Sequence, residues 1–562
     1  MTSETESARP TAPTTRFAPA RFVPAGYEFG ALALAVIFAW ISLTPSLLPR
    51  GPMFQGVVSG GSAAFGYAIG VLVTVLARKA FAPREFGRDM DRRSWSILAA
   101  VTVVVSIPLI IWYESWQDEL RSLMEVSGLR WWAGPVTAVV AAIVFFVLVA
   151  LSRLWLRAAR WTGRQIGRIA PPRVSAAIGV VLILVLTIGL VNGVVWRGIY
   201  SMLDSSFQEL NDEHRPDSPE PEIVERSGGP QSLVTWDSLG RQGRIFVANG
   251  PTVGELTDFS GRPATQPVRA YTGLASAENI EAEADLAVRE LERAGGFDRA
   301  VLGVITTTGS GWINESSAAA LEYMFNGDTA LVSMQYSYLP SWISFLVDQD
   351  RARDAGRVLF DAVHARWESL PAESRPRLVV FGESLGSFGG ESAFDSAADI
   401  AARTNGALFV GAPNSNVLWS RFTADRDSGT PEWLPVYRNG TTVRFVARPA
   451  DLDRPDTAWP QPRVIYLQHP SDPITWWTPK LIYERPDWLR EERGYDVLPS
   501  TRWFPFVTFL QVSADMAVSN SVPEGHGHTF RADLADAWAA ILEPAGWTTE
   551  DTARLRTILA GE

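Results

Sequence analysis

Five long apolar runs dominate the first 200 residues, and beyond residue 232 short β-branched runs alternate with helical periodicity. The apolar runs lie at 29–48, 56–77, 96–112, 135–151 and 174–195, and none has a charged interior. Each is about long enough to cross a hydrocarbon core of roughly 30 Å as a helix. They predict an all-α transmembrane domain of about five helices over 29–200, behind a tail of 1–28. A cleaved signal peptide is excluded for the first run, which is too long and is followed by four others. Thr44-Pro45 and Pro49 are expected to kink or end the first helix near the membrane surface. Serine and threonine back-bonded to that helix end is one reading of the stretch, and a lipid-binding groove is the other.

Residues 201–232 are acidic and rich in Pro, Ser and Gly, the composition of a linker, and His214 within them is expected to have no catalytic role. From 233 to 562 the alternation predicts an α/β domain, a mostly parallel doubly wound sheet with crossover helices. Strands are expected at 244–250, 268–274, 299–307, 329–337, 377–383, 406–413 and 463–473. Helices are expected at 277–295, 348–370, 390–405 and 532–542. Two insertions, 414–462 and 474–523, are rich in large aromatics and read as a cap over an acyl or lipid pocket. Trp312, Trp476 and Trp477 are the expected pocket residues.

Charge divides the chain in the same place. Before residue 201 there are 19 Lys+Arg against 10 Asp+Glu, and after it 31 against 51. The loops after the second and fourth runs and the N-terminal tail hold fifteen positive residues, whereas Arg50, Arg121 and Arg130 are alone after the first and third. The positive-inside rule then places the N-terminus in the cytoplasm and the back half outside a cell membrane. An acidic back half disfavours a nucleic-acid partner, and the partners expected are the bilayer and a lipid. The absence of cysteine excludes disulfides and thiolate chemistry. No metal or cofactor enters this reading.

Candidate chemistry centres on Gly382-Glu-Ser-Leu-Gly386, a G-x-S-x-G match directly after the "LVVF" run. A serine raised on a strand-to-helix turn exposes its Oγ and turns the next backbone N–H toward a developing oxyanion. Ser384 is therefore the candidate nucleophile, with Leu385 as one oxyanion donor and Thr308, from the "TTGSG" turn, as the other. The expected order of partners is acid, then histidine. Of five histidines only His526 and His528 fall late enough, and the spacing Gly-x-Gly-His-x-Phe favours His528 over its rival His526. Asp472, just past the strand in "YLQHPSDPITWW", is the expected acid, with Asp515 as rival.

The segments "SLTPSLLPRG", "GFDRAVLGVITTTGSGW", "FGESLGSFGGE", "YLQHPSDPITWW" and "GHGH", in this order, resemble the bacterial membrane-anchored α/β-hydrolases that carry a multi-span N-terminal domain. The resemblance implies an α/β-hydrolase fold for the back half and a triad at Ser384, Asp472 and a histidine of "GHGH". The expected function is hydrolysis of an ester or thioester of a lipid or acylated envelope component. Acyl transfer by the same triad is the alternative, and a non-catalytic envelope scaffold is a second one.

Overall fold

The structure, a computed structural model, describes residues 27–80, 91–167, 171–189, 207–208, 210–347 and 349–561. The front contains a helix in each of the five apolar runs: α1 (Phe29–Ile41), α2 (Pro52–Ala80), α3 (Arg92–Leu123), α4 (Ala133–Ile166) and α5 (Pro172–Gly189). Pro52–Ala77, Arg92–Leu123 and Ala133–Ile166 are long and apolar enough to cross a membrane, while Phe29–Ile41 and Ile178–Gly189 are shorter. The end of the fifth run, 190–195, lies outside the described residues. Helix α1 stops at Ile41 instead of continuing to residue 48, as the prolines dictate. Ser42 Oγ donates to Ala39 O at 2.6 Å and Thr44 Oγ1 to Ile41 O at 2.7 Å, the back-bonded helix end of the first reading. Helix α2 is the hub of the bundle and packs through its glycines. A Cβ on Gly70 would meet Ala31 Cα of α1 at 2.4 Å, and one on Gly60 would meet Ala141 O of α4 at 2.6 Å. Small residues that let backbones approach are how helices associate where solvent supplies no hydrophobic drive.

The back half is built on a seven-stranded sheet, all parallel, in the order β1-β3-β2-β4-β5-β7-β6. The strands are β1 (Val268–Thr272), β2 (Val301–Thr306), β3 (Thr329–Met334), β4 (Arg377–Glu383), β5 (Gly406–Val410), β6 (Val443–Val446) and β7 (Arg463–Leu467). Nearly every strand residue is buried, as a sheet covered by helices on both faces requires. Chain order reverses at β2, which pairs with β3 on one side and β4 on the other. The crevice beyond the carboxyl ends of β2 and β4 is where ligands bind in open α/β sheets.

Three expectations are corrected. Residues 244–250 are not a strand: helix Gly240–Ala248 covers most of them, because the Ile-Phe-Val triplet is too short to fix a period. The 390–405 helix is broken, with Leu385–Glu391 and Ala397–Arg403 as separate pieces. The 414–462 insertion is not only a cap, since it supplies edge strand β6, and its Trp419 and Trp459 are buried in the core. A helix at Thr549–Ala560 was not expected and closes the chain.

The two halves share one core. Leu47 and Leu48, in the segment after α1, and Leu120 and Met124, at the end of α3, belong to the same apolar cluster as Leu302, Val380 and Phe409 of the sheet. Thus the segments after α1 and α3 both lie on the sheet's side of the helical region.

Candidate active site

Strand β4 delivers Ser384 into a turn with φ 54° and ψ −123°, a conformation that L-residues rarely adopt. Ser384 N–H donates to Val410 O at 2.9 Å, which ties the turn to the end of β5. Helix Leu385–Glu391 begins at the next residue, so Leu385 N–H is one of the N-terminal donors without an intrahelical acceptor. Close packing explains the second glycine of the motif, since a Cβ on Gly386 would lie 2.3 Å from Thr306 O. Ser387 is fully buried, and its hydroxyl donates back to Ser384 O at 2.6 Å.

A cleft of about 730 Å³ opens over this turn. Ser384, Leu385, Thr308, Trp312 and His528 all line it, as do Asn314, Glu383, Phe345, Ile474 and Met516, which the sequence reading missed as lining. The strand–turn–helix sequence and the crevice at the chain reversal bring the two oxyanion candidates to the same place. Thr308 N–H is committed to Trp312 O at 3.0 Å, so that residue offers its hydroxyl rather than its backbone. Trp476 and Trp477 are not among the residues that line this cleft. Trp476 is buried with its Nε1–H on Pro470 O at 2.8 Å, and Trp477 donates to Ser513 Oγ at 2.8 Å. Both indole donors thus have partners inside the protein.

His528 Nδ1 lies 2.7 Å from Asp472 Oδ2, with both side chains buried. That bond requires the proton on Nδ1 and leaves Nε2 as an acceptor in the cleft. Asp472 is itself held, because Ile474 N–H donates to Oδ1 at 2.8 Å and Thr475 Oγ1 to Oδ2 at 3.3 Å. Burial alone would lower the His528 pKa. The charge and hydrogen bond of Asp472, with Glu383 behind them, outweigh it and hold the imidazole above the ordinary histidine value. Glu383, hydrogen-bonded to Asn314 Nδ2 at 2.6 Å, is pushed up to about 7 by burial. Gly411 makes room for the ring: its φ is +52°, and a Cβ there would sit 2.4 Å from His528 Cε1.

The rivals have other partners. His526 Nδ1 faces Asp496 Oδ2 at 3.1 Å, and Asp515 lies against Arg50 with Oδ1 at 3.5 Å from Nε. Instead of offering a second base, the "GHGH" loop is clamped along its length. Tyr495 OH donates to Gly525 O at 2.8 Å, Gly527 N–H to Ser471 Oγ at 2.8 Å, and Ser471 Oγ to Asp496 Oδ2 at 2.5 Å. His469 Nδ1 bonds Gly527 O at 3.0 Å and its ring stacks on Phe530. Burial pushes His469 down to about 4, so it stays neutral. Asp496, Ser471 and His469 were missed as loop supports; His469 and Ser471 are visible only as neighbours of Asp472 in "YLQHPSDP".

An all-parallel sheet reversing at β2, with a strained serine after β4 and a histidine loop beyond β7, defines the class as an α/β-hydrolase. The chain belongs to the alpha/beta-hydrolase family, whose model matches residues 268–555, and the model of that family's N-terminus matches residues 43–251. No curated protein and no solved structure matches the chain.

Proposed function

We propose that the protein is a membrane-embedded serine hydrolase that cleaves an ester or thioester of a lipid or acylated envelope component. The observation that carries this reading is the meeting, in one cleft, of the strained Ser384 turn and the 2.7 Å His528–Asp472 pair. Ser384 Oγ attacks the carbonyl carbon while His528 Nε2 takes the hydroxyl proton. Asp472 holds the imidazole tautomer and stabilises the imidazolium. Leu385 N–H and the Thr308 hydroxyl bear on the developing oxyanion. The proton on Nε2 then passes to the leaving alcohol or thiol, and water, deprotonated by the same nitrogen, releases the acyl group. Phe345, Ile474 and Met516 give the cleft an apolar wall suited to an acyl chain.

A site facing outward is supported by the burial of the segments after α1 and α3, those poor in arginine, in the hydrolase core. The test of substrate class is a lipid comparison of cells carrying wild type or Ser384→Ala. An acylated lipid should accumulate in the variant; identical lipid profiles would contradict the reading. Alkaline phosphatase fused after residue 230 should be active, and an expressed but inactive fusion would overturn the orientation.

Two further outcomes follow from the geometry around the imidazole. Gly411→Ala should lower kcat by about 100-fold in folded protein, because a displacement of about 1 Å in a reacting group costs that much. Ester hydrolysis by the variant at the wild-type rate would contradict the placement of His528. The rate should also rise with pH as His528 loses its proton, with a midpoint above about 6.5. The groups facing the ring are Asp472, Glu383 and the neutral His469. Above about pH 7, where Glu383 is ionised, Glu383→Gln removes a negative charge that favours the imidazolium, so that part of the titration should move down. A kcat/KM profile in which that part stays or rises would rule this out.

A further inference from the structure

The segment 42–50, singled out in sequence by its prolines and otherwise without a role, is bound to the hydrolase part at one carboxylate. Asp515 is fully buried on helix Val507–Met516. Its Oδ2 accepts the Ser46 hydroxyl and, at 3.1 Å, Leu47 N–H, while its Oδ1 faces the fully buried guanidinium of Arg50. One turn earlier, Gln511 Nε2 donates to Thr44 O at 2.8 Å. Phe506, at the start of the same helix, stacks on Phe65 of α2 with ring centroids 3.8 Å apart. The other end of this helix reaches the candidate base. Asp515 O accepts Val518 N–H at 3.0 Å, and the carbonyl of the following residue, Ser519 O, accepts His528 N–H at 2.9 Å. Met516 and Ser519 line the cleft, and a Cβ on Gly527 would lie 3.4 Å from Leu48 Cδ2. Removing one side of such a buried pair would leave the other charge without a partner.

We propose that segment 42–50 is part of the mounting of His528, so that Ser46, Leu47, Leu48 and Arg50, acting through Asp515 and Gly527, are positioning residues for hydrolysis. The hydrolase domain then reaches full activity only with the N-terminal helices seated against it. This inference rests on the assignment of His528 as base.

The test uses the full chain in lipid nanodiscs, with p-nitrophenyl butyrate as substrate and rates referred to the amount of folded protein. Asp515→Ala should lower kcat about tenfold or more with KM nearly unchanged. Asp515→Asn, which keeps an oxygen acceptor for Ser46 and Leu47 but leaves Arg50 without its counter-charge, should recover part of the loss. If Asp515→Ala does not fold, Leu48→Ala, which strands no charge, should lower kcat in the same way. An unchanged kcat in whichever of these two folds, or an Asp515→Asn variant no better than Asp515→Ala, would overturn the proposal. A wild-type chain that neither cleaves the ester nor reacts with a fluorophosphonate would instead overturn the serine-hydrolase reading.

Discussion

Ser384→Ala is expected to reduce ester hydrolysis by about 10⁴-fold or more while leaving the fold intact. The loss is large because the nucleophile and its base act as a unit, and what remains is binding and oxyanion stabilisation alone. The fold should tolerate the change: Ser384 holds its place through its backbone N–H on Val410 O, and an alanine keeps that bond. Ser387→Ala is the matched control. Its hydroxyl is buried in the helix behind the turn, donating to Ser384 O and accepting from Asn416, so its loss should cost stability and little rate. Comparable rate losses in both variants would mean that the turn is merely structural. Hydrolysis rates, with thermal unfolding as the fold check, separate these outcomes.

Asp472→Asn should cost a similar amount, about 10⁴-fold in kcat, by a different route. The carboxylate at 2.7 Å from Nδ1 makes that nitrogen the proton carrier and leaves Nε2 as acceptor. An amide that turns its NH₂ toward the ring favours the opposite tautomer, and the imidazole can no longer accept the serine proton. The same change removes the main influence holding the His528 pKa up, so the burial of the ring would then dominate and lower it. His526→Ala provides the contrast. It loosens the loop through Asp496 without touching the reacting atoms, and a much smaller loss of rate is expected. Near-wild-type kcat in Asp472→Asn, measured on folded protein, would return the acid to question.

The hydrolase fold was legible wherever local pattern and tertiary role agree. An apolar strand running into Gly-Glu-Ser-Leu-Gly can be read directly, because strand, strained turn and helix are contiguous in sequence. His528 is reached as the candidate base by elimination among five histidines, and Asp472 as the candidate acid by its position after a strand. What stayed hidden depends on where side chains point. A tryptophan count cannot distinguish a cap from a core, and Trp476 is buried with its indole N–H on Pro470 O. Strand β6 is four residues within an irregular insertion, too short to carry a period. The partnership of Arg50 with Asp515 spans most of the chain, and no local signal joins them. Asp515 therefore read as a rival acid when its carboxylate serves the segment after α1.

The central claim is that Ser384 is a nucleophile activated by His528. It is tested most directly by treating the full-length protein with a fluorophosphonate and mapping the adduct by mass spectrometry. Phosphonylation is expected on Ser384 of the wild type, strongly slowed in His528→Ala and absent in Ser384→Ala. Folded wild-type protein that carries no adduct, or carries it on another residue, would contradict the claim.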